Sequence, residues 1–334
     1  MSKKFSISSF ISISKFLGVS LFALGYFSTK IASGAEPFPN RPLKIMVGFA
    51  PGGSADTVAR AMAPKMSELF KQSVVIENHP GAGGNIASEI TLRSLPDGYT
   101  MMLGTIGSLA VNQHINKLTY DPATDLQAVS MAIVFSNVLV VNASSEIKTI
   151  EDYVRAGKLE NSKLSFGSSG IGSAGHLAGE FFKITAGLNN QHIAYRGGAP
   201  AMNDLLSGVL PSIFSSPTDA VQFIQSGKLR AIAVTGSKRL DVLAQTPTIA
   251  ELGYPGFEAV NWYAFTVPNK TPVDVVTKLN QVITSTLKDP AVSAQLKKSG
   301  LIPFPTSVDE SSRYIKSESD KWGAIVKKAG IRAE

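Results

Sequence analysis

The chain has 334 residues, 44% of them hydrophobic and 17% charged, with 29 glycines and 18 prolines. That length exceeds most single cores and suits about two domains, and the composition excludes a disordered chain. Cysteine is absent, which excludes disulfides and a lipoprotein anchor, so the fold rests on its core alone.

The first 35 residues read as a secretory signal. Lys3, Lys4 and Lys15 make a basic start, residues 16–27 an apolar run, residues 28–30 a polar break, and Ser33-Gly34-Ala35 a small-residue cleavage site. The run is too short for a stable membrane anchor, although an uncleaved anchor is the alternative reading. Cleavage after Ala35 removes four lysines and no acid, so the net charge falls from +7 to +3. No Lys/Arg cluster with interleaved aromatics appears, which speaks against nucleic acid. A mild positive bias weakly favours an anionic ligand.

The rest alternates short apolar strands with amphipathic helices. Residues 43–49 read as a strand and 54–70 as a helix, with Val58, Met62, Met66 and Leu69 on one face and a kink expected at Pro64. A strand at 73–77, a helix at about 85–94 and a strand at 100–105 complete a βαβαβ start, which implies a doubly wound, mainly parallel sheet. Residues 126–141 read as extended chain leaving the first domain. Strands at 164–168, 191–195, 210–215 and 230–235 then alternate with helices at 173–186, 199–206 and 219–225. Residues 257–267 read as the return crossing. Helical patterns close the chain, one over 273–296 broken at Asp289-Pro290, the other opened by a capping box from Ser307 to Glu310. Trp322 reads as core. Phe135, Trp262 and Tyr263 either line a pocket or fill the core.

Ligands of such sheets bind beyond the carboxyl ends of the strands, so the strand-to-helix turns carry the candidate site. In residues 49–56, Gly52 and Gly53 allow close backbone approach, and Ser54 is placed to cap a helix whose first N–H groups favour a carboxylate. A purely structural turn is the equal alternative. In residues 78–85, His79 reads as a solvated loop residue. Residues 104–108 offer Thr105 and Ser108. Residues 166–176 contain G-x-G-x-x-G at Gly170, Gly172 and Gly175, yet lack the acid about 20 residues later that a dinucleotide site needs. Ser173 and His176 stand one helical turn apart, but no third triad member is evident. The run of amides and hydroxyls there suits binding an anion better than attacking it. Arg196, at a strand end, is either a partner for a cleft carboxylate or a surface residue.

Taken in order, these turns resemble the Bug or TctC-type periplasmic receptors of tripartite tricarboxylate transporters. The resemblance rests on Phe38-Pro39-Asn40-Arg41-Pro42, Pro51-Gly52-Gly53-Ser54-Ala55-Asp56 and Glu77-Asn78-His79-Pro80-Gly81-Ala82-Gly83-Gly84. It continues through Asp97-Gly98-Tyr99-Thr100, Tyr120-Asp121-Pro122, Gly167-Ser168-Ser169-Gly170, His176-Leu177-Ala178-Gly179-Glu180, residues 195–200 and Gly227-Lys228-Leu229-Arg230-Ala231. It implies an α/β, two-lobed binding protein of type II (Venus-flytrap) form, with mainly parallel sheets and helices on both faces. The lobes drawn are 36–134 with 256–334, and 135–255.

The resemblance further implies a non-catalytic periplasmic receptor for a di- or tricarboxylate, an aromatic acid or an acidic amino acid, with no cofactor, no metal and no nucleic acid. Its partners are two integral membrane subunits, and a monomer suits the shuttle. Carried over as ligand contacts are Gly53, Ser54, Ala55, Asp56, Thr105, Ser108, Ser168, Gly172, Ser173 and Ala174, with His176 and Arg196 as further candidates. One departure bears on the ligand. Where relatives commonly carry an Asp-Asn pair this chain has Ser215-Ser216, and Pro211 replaces a usual acid, which argues against an amino acid. A receptor for a sensor kinase, a hydrolase using Ser173 and His176, and a nucleotide-dependent enzyme are the competing readings.

Overall fold

The computed structural model describes residues 38–332, so the signal and its cleavage site lie outside the described residues. From β1 (Leu43–Val47) the chain enters α1 (Ser54–Phe70), which runs continuously past Pro64. β2 (Val74–Asn78), α2 (Asn85–Arg93) and β3 (Thr100–Thr105) follow. A π-helical turn (Gly107–Val111) leads into the single turns α3 (Asn112–Ile115) and α4 (Pro122–Asp125). β4 (Leu126–Ser136) and β5 (Val138–Asn142) are separated by Asn137 alone.

The second series runs α5 (Ile150–Gly157), β6 (Ser165–Ser168), α6 (Ala174–Ala186), β7 (Gln191–Ala194), α7 (Gly198–Leu206), β8 (Ser212–Ser215), α8 (Pro217–Gln225) and β9 (Leu229–Val234). β10 (Val260–Pro268), α9 (Val273–Lys288), α10 (Pro290–Lys298), β11 (Ile302–Pro303) and α11 (Val308–Ala329) return to the first sheet. The break between α9 and α10 falls where Asp289 accepts from the N–H groups of Ala291 and Val292 and so caps a new helix at Pro290. The Ser307–Glu310 capping box is present as read. Thr149 and Asp152 form a second one, opening α5, a helix that the sequence reading passes over.

Two mixed sheets result, ordered β11-β4-β10-β3-β1-β2 and β7-β6-β8-β5-β9. Parallel pairing is confined to the βαβ strands, β1 with β2 and β3, and β6 with β7 and β8. β10 pairs antiparallel to β3 and β4, and β5 antiparallel to β8 and β9. The crossings explain the mixture. β4 points the same way as β1–β3 and leaves their sheet at its carboxyl edge, so β5 enters the second sheet against β8, and β10 descends against β3. The carboxyl ends of both βαβ sets therefore face one another.

Where the chain changes sheets, Thr235 ties the crossings together. Its hydroxyl receives the Asn137 N–H at 2.9 Å and donates to the Ala259 carbonyl at 2.6 Å. The first sheet packs Ile45 and Val47 against Val58, Met62 and Met66 of α1 and Leu279 and Ile283 of α9, all fully buried. Each such side chain contributes about 1.5–3 kcal/mol. A second cluster joins Phe166, Phe182 and Phe214 to Trp262 and Trp322.

Candidate functional site

Loops from both sheets meet around a cavity of about 80 Å³. A single water needs roughly 10–15 Å³ on this measure, so the space holds a small molecule of a few heavy atoms. The first sheet supplies Phe49, Ala50, Pro51, Gly53, Ser54, Ala55 and Thr105. The second supplies Ser168, Ser169, Ser173, Ala174, Gly175, Gly197 to Ala201, and Ile213, Phe214, Ser215, Ser216 and Asp219, and the crossings supply Asn137, Asn261 and Tyr263.

Of the residues expected at the site, Gly53, Ser54, Ala55, Thr105, Ser168, Ser173 and Ala174 line this cavity. Gly53, not Ser54, is the N-cap of α1, and it gives no side-chain hydrogen bond. Ser54 instead meets the Tyr263 hydroxyl at 2.7 Å. α7 and α8 also begin beside the cavity without a side-chain cap, at Gly197 and Ser216. Three helices thus begin beside one small space without a side-chain cap, which favours an anion.

Asp56, Ser108, Gly172, His176 and Arg196 lie off the cavity wall, each for a physical reason. Asp56 is buried and holds its own loop, accepting from the Gly52 N–H at 2.9 Å, Arg60 Nε at 2.8 Å and Asn78 Nδ2 at 3.0 Å. Burial alone would raise its carboxyl, but these donors hold it below the usual range. The Ser108 hydroxyl closes the turn onto the Thr105 N–H at 3.1 Å. Gly172 meets Asn112 across the lobes. His176 Nδ1 accepts from the Gly172 N–H at 3.1 Å, and its ring stacks on His192 at 4.1 Å between centroids. Arg196 is exposed on an adjoining, wider cavity of about 880 Å³ that also holds Lys117 and Glu89.

The hydrolase arrangement is not formed. Ser173 caps α6 by accepting from the His176 N–H at 3.4 Å, while the His176 ring is occupied by Gly172. Burial, and then the positive charge of Lys183, pushes the His176 imidazole down to about 4. Ser168 Oγ lies 2.8 Å from His192 Nε2, but Gly170 also holds it through both its carbonyl and its N–H. Burial, then His176 and Lys183, pushes His192 down to about 3, too weak a base to activate a hydroxyl.

Four wall residues escape local sequence reading or are left open by it. Asn137 is 2% exposed and its Nδ2 has no hydrogen-bond partner among the described residues. Its only signal in the sequence is an amide set deep inside an apolar run. Asn261 is buried on the return crossing, with its Oδ1 accepting from the Trp262 N–H at 2.8 Å. Tyr263 lines the cavity, whereas Phe135 and Trp262 are core: Phe135 packs edge-on against Tyr263 at 5.4 Å, and Trp262 Nε1 donates to Glu318 at 3.0 Å. Asp219 is the only charged residue on the wall among the described residues. Burial pushes its carboxyl up to about 6, and the Thr218 hydroxyl at 3.2 Å opposes that.

The family model for "Tripartite tricarboxylate transporter family receptor" matches residues 58–331. Protein BugT of Bordetella pertussis is 33% identical over 300 residues, which cover 89% of this chain and 92% of BugT. The solved structure of the periplasmic binding protein BugD superposes with a TM-score of 0.84 at 33% identity, covering 89% of this chain and 100% of that one. The structure of an R. palustris protein with adipate gives 0.85 at 33% identity, covering 88% and 99%. The two-lobed fold is that of the periplasmic binding proteins, and binding rather than catalysis is its work. With inward-facing helix N-termini, a small cavity between two sheets and a family model matched over most of its length, the chain belongs to the tripartite tricarboxylate transporter receptor family.

Proposed function

We propose that this protein is exported, with residues 1–35 as its signal, and captures a small carboxylate in the periplasm. It delivers that carboxylate, a di- or tricarboxylate or an aromatic acid, to the two integral membrane subunits of a tripartite tricarboxylate-type transporter. The observation that carries the reading is the buried Asn137, a residue of the cavity wall whose Nδ2 has hydrogens to donate and finds no acceptor among the described residues. A carboxylate oxygen satisfies it, and the uncapped starts of α1, α7 and α8 stabilise the same charge with dipoles already oriented. Adipate in a relative of 33% identity supports the ligand class.

Gly53, Ser54, Ala55, Thr105, Ser168, Ser173 and Ala174 contact the ligand as the lobes, 36–134 with 256–334 and 135–255, close as a monomer. The test is a thermal-shift screen of residues 36–334 against mono-, di-, tri- and aromatic carboxylates, amino acids and nucleotides. A ligand of the folded state raises the melting temperature in a concentration-dependent way. A shift with a carboxylate and none with nucleotides is expected, and the reverse overturns the reading.

A further inference from the structure

Asp219 has no structural role visible around it beyond the general one of an acid in the first turn of a helix. It stands in the first turn of α8, yet the N-cap Ser216 makes no side-chain hydrogen bond there, and no capping box is formed. The one hydrogen bond of its side chain among the described residues is received from the neighbouring Thr218 hydroxyl, and it forms no ion pair among them. The wall is cut to admit it: a Cβ on Gly198 would overlap Asp219 Oδ2. Among the described residues, no lysine, arginine or histidine lines the cavity.

A second negative charge therefore has nothing to neutralise it here. A simple dicarboxylate brings two carboxylates beside Asp219 in a space served only by dipoles, and like charges so confined repel strongly. A ligand with one carboxylate for the helix N-termini and Asn137, and a cation for Asp219, leaves every group paired.

Within the reading of this site as a carboxylate receptor, on which the inference rests, we propose that Asp219 is a specificity-determining residue that receives a protonated amine. The ligand is then an acid that also carries an ammonium group. This reverses the expectation drawn from Ser215-Ser216 and Pro211. The acid missing from those positions is supplied from the start of the next helix, and only the folded chain brings it to the cavity.

The test uses matched pairs in calorimetric titration at neutral pH, after refolding from denaturant to strip any carried ligand. The pairs are succinate with aspartate, glutarate with glutamate, and butyrate with 4-aminobutyrate. The amine-bearing member of at least one pair should bind tenfold or more tighter than its match. Asp219→Asn should bring that ratio close to one, by weakening the amine-bearing acid and tightening the amine-free one. Amine-free acids that bind with no gain from the amine would overturn the Asp219 assignment and leave the carboxylate reading standing. An unchanged preference in D219N would do the same. Should that variant fail to fold, the wild-type ratios alone decide. Failure of every acid in the panel, with or without an amine, would take down the carboxylate reading and the Asp219 assignment together.

Discussion

Gly107, just after β3, approaches the opposite lobe so closely that a Cβ on it would lie 2.7 Å from the carbonyl oxygen of Gly172. Beside it, a Cβ on Gly83 would lie 2.9 Å from the carbonyl of Ile171. Backbone meets backbone across the cleft, and only glycine permits it. Gly107→Ala should therefore penalise the closed arrangement while sparing each lobe. Overpacking costs about 1–3 kcal/mol, which corresponds to roughly a 5- to 150-fold weaker affinity. Titration of the variant checks this, with the ligand-free melting temperature expected to stay within a few degrees of wild type.

Asn137→Ala should separate binding from stability. The unpartnered Nδ2 is a buried donor left unmade, so its removal should leave the ligand-free protein as stable or more so. Ligand affinity should fall by about 1.5–3 kcal/mol, the range of a hydrogen bond to a charged group. Parallel denaturation and titration would decide it, and a variant that loses stability but keeps affinity would contradict the role assigned to Asn137.

His176 and His192 should make the fold acid-sensitive. Their folded values are about 4 and about 3, both set mainly by burial, against about 6.5 in an unfolded chain. As pH falls below that, the unfolded state binds protons that the folded state refuses, so stability is full above about 6.5 and declines toward 4. Each histidine contributes a slope of about 1.4 kcal/mol per pH unit in that window. Asp219 opposes part of it, because its carboxyl at about 6 takes up a proton in the folded state first. Melting temperatures of wild type and a His176→Gln, His192→Gln double variant from pH 7.5 to 5 should show the slope reduced in the variant.

Glu318 should matter far from any ligand. Its Oε2 accepts from Trp262 Nε1 at 3.0 Å and from Trp322 Nε1 at 3.1 Å, joining the return crossing to α11. Glu318→Ala leaves two buried indole N–H groups unpaired, at about 1–3 kcal/mol each. A melting temperature lower by several degrees with unchanged ligand affinity is the expected result, read by thermal denaturation with and without ligand.

The sequence by itself determined most of the elements and their order, with α5, the short turns after β3 and β11 left unread. α1 and β3 fall on the residues read for them, and the crossings fall within the two extended apolar runs, because apolar periodicity, turn glycines and capping residues act over a few neighbours. It also located four of the turns that face the cavity, at Gly53, Thr105, Ser173 and Gly198, since those lie at strand ends, but not the turn from Ser215 to Asp219. Which atoms in the turns are free was decided only by the tertiary structure. Asp56, Ser108 and His176 were spent on holding their own loops, a matter of side-chain direction that spacing does not encode. Asn137, Tyr263 and Asp219 came to the wall from segments far apart in the chain, because the crossings and α8 converge only when both sheets are built. Local rules fix where the chain turns, whereas burial and hydrogen-bond competition among distant segments fix which polar groups remain for a ligand.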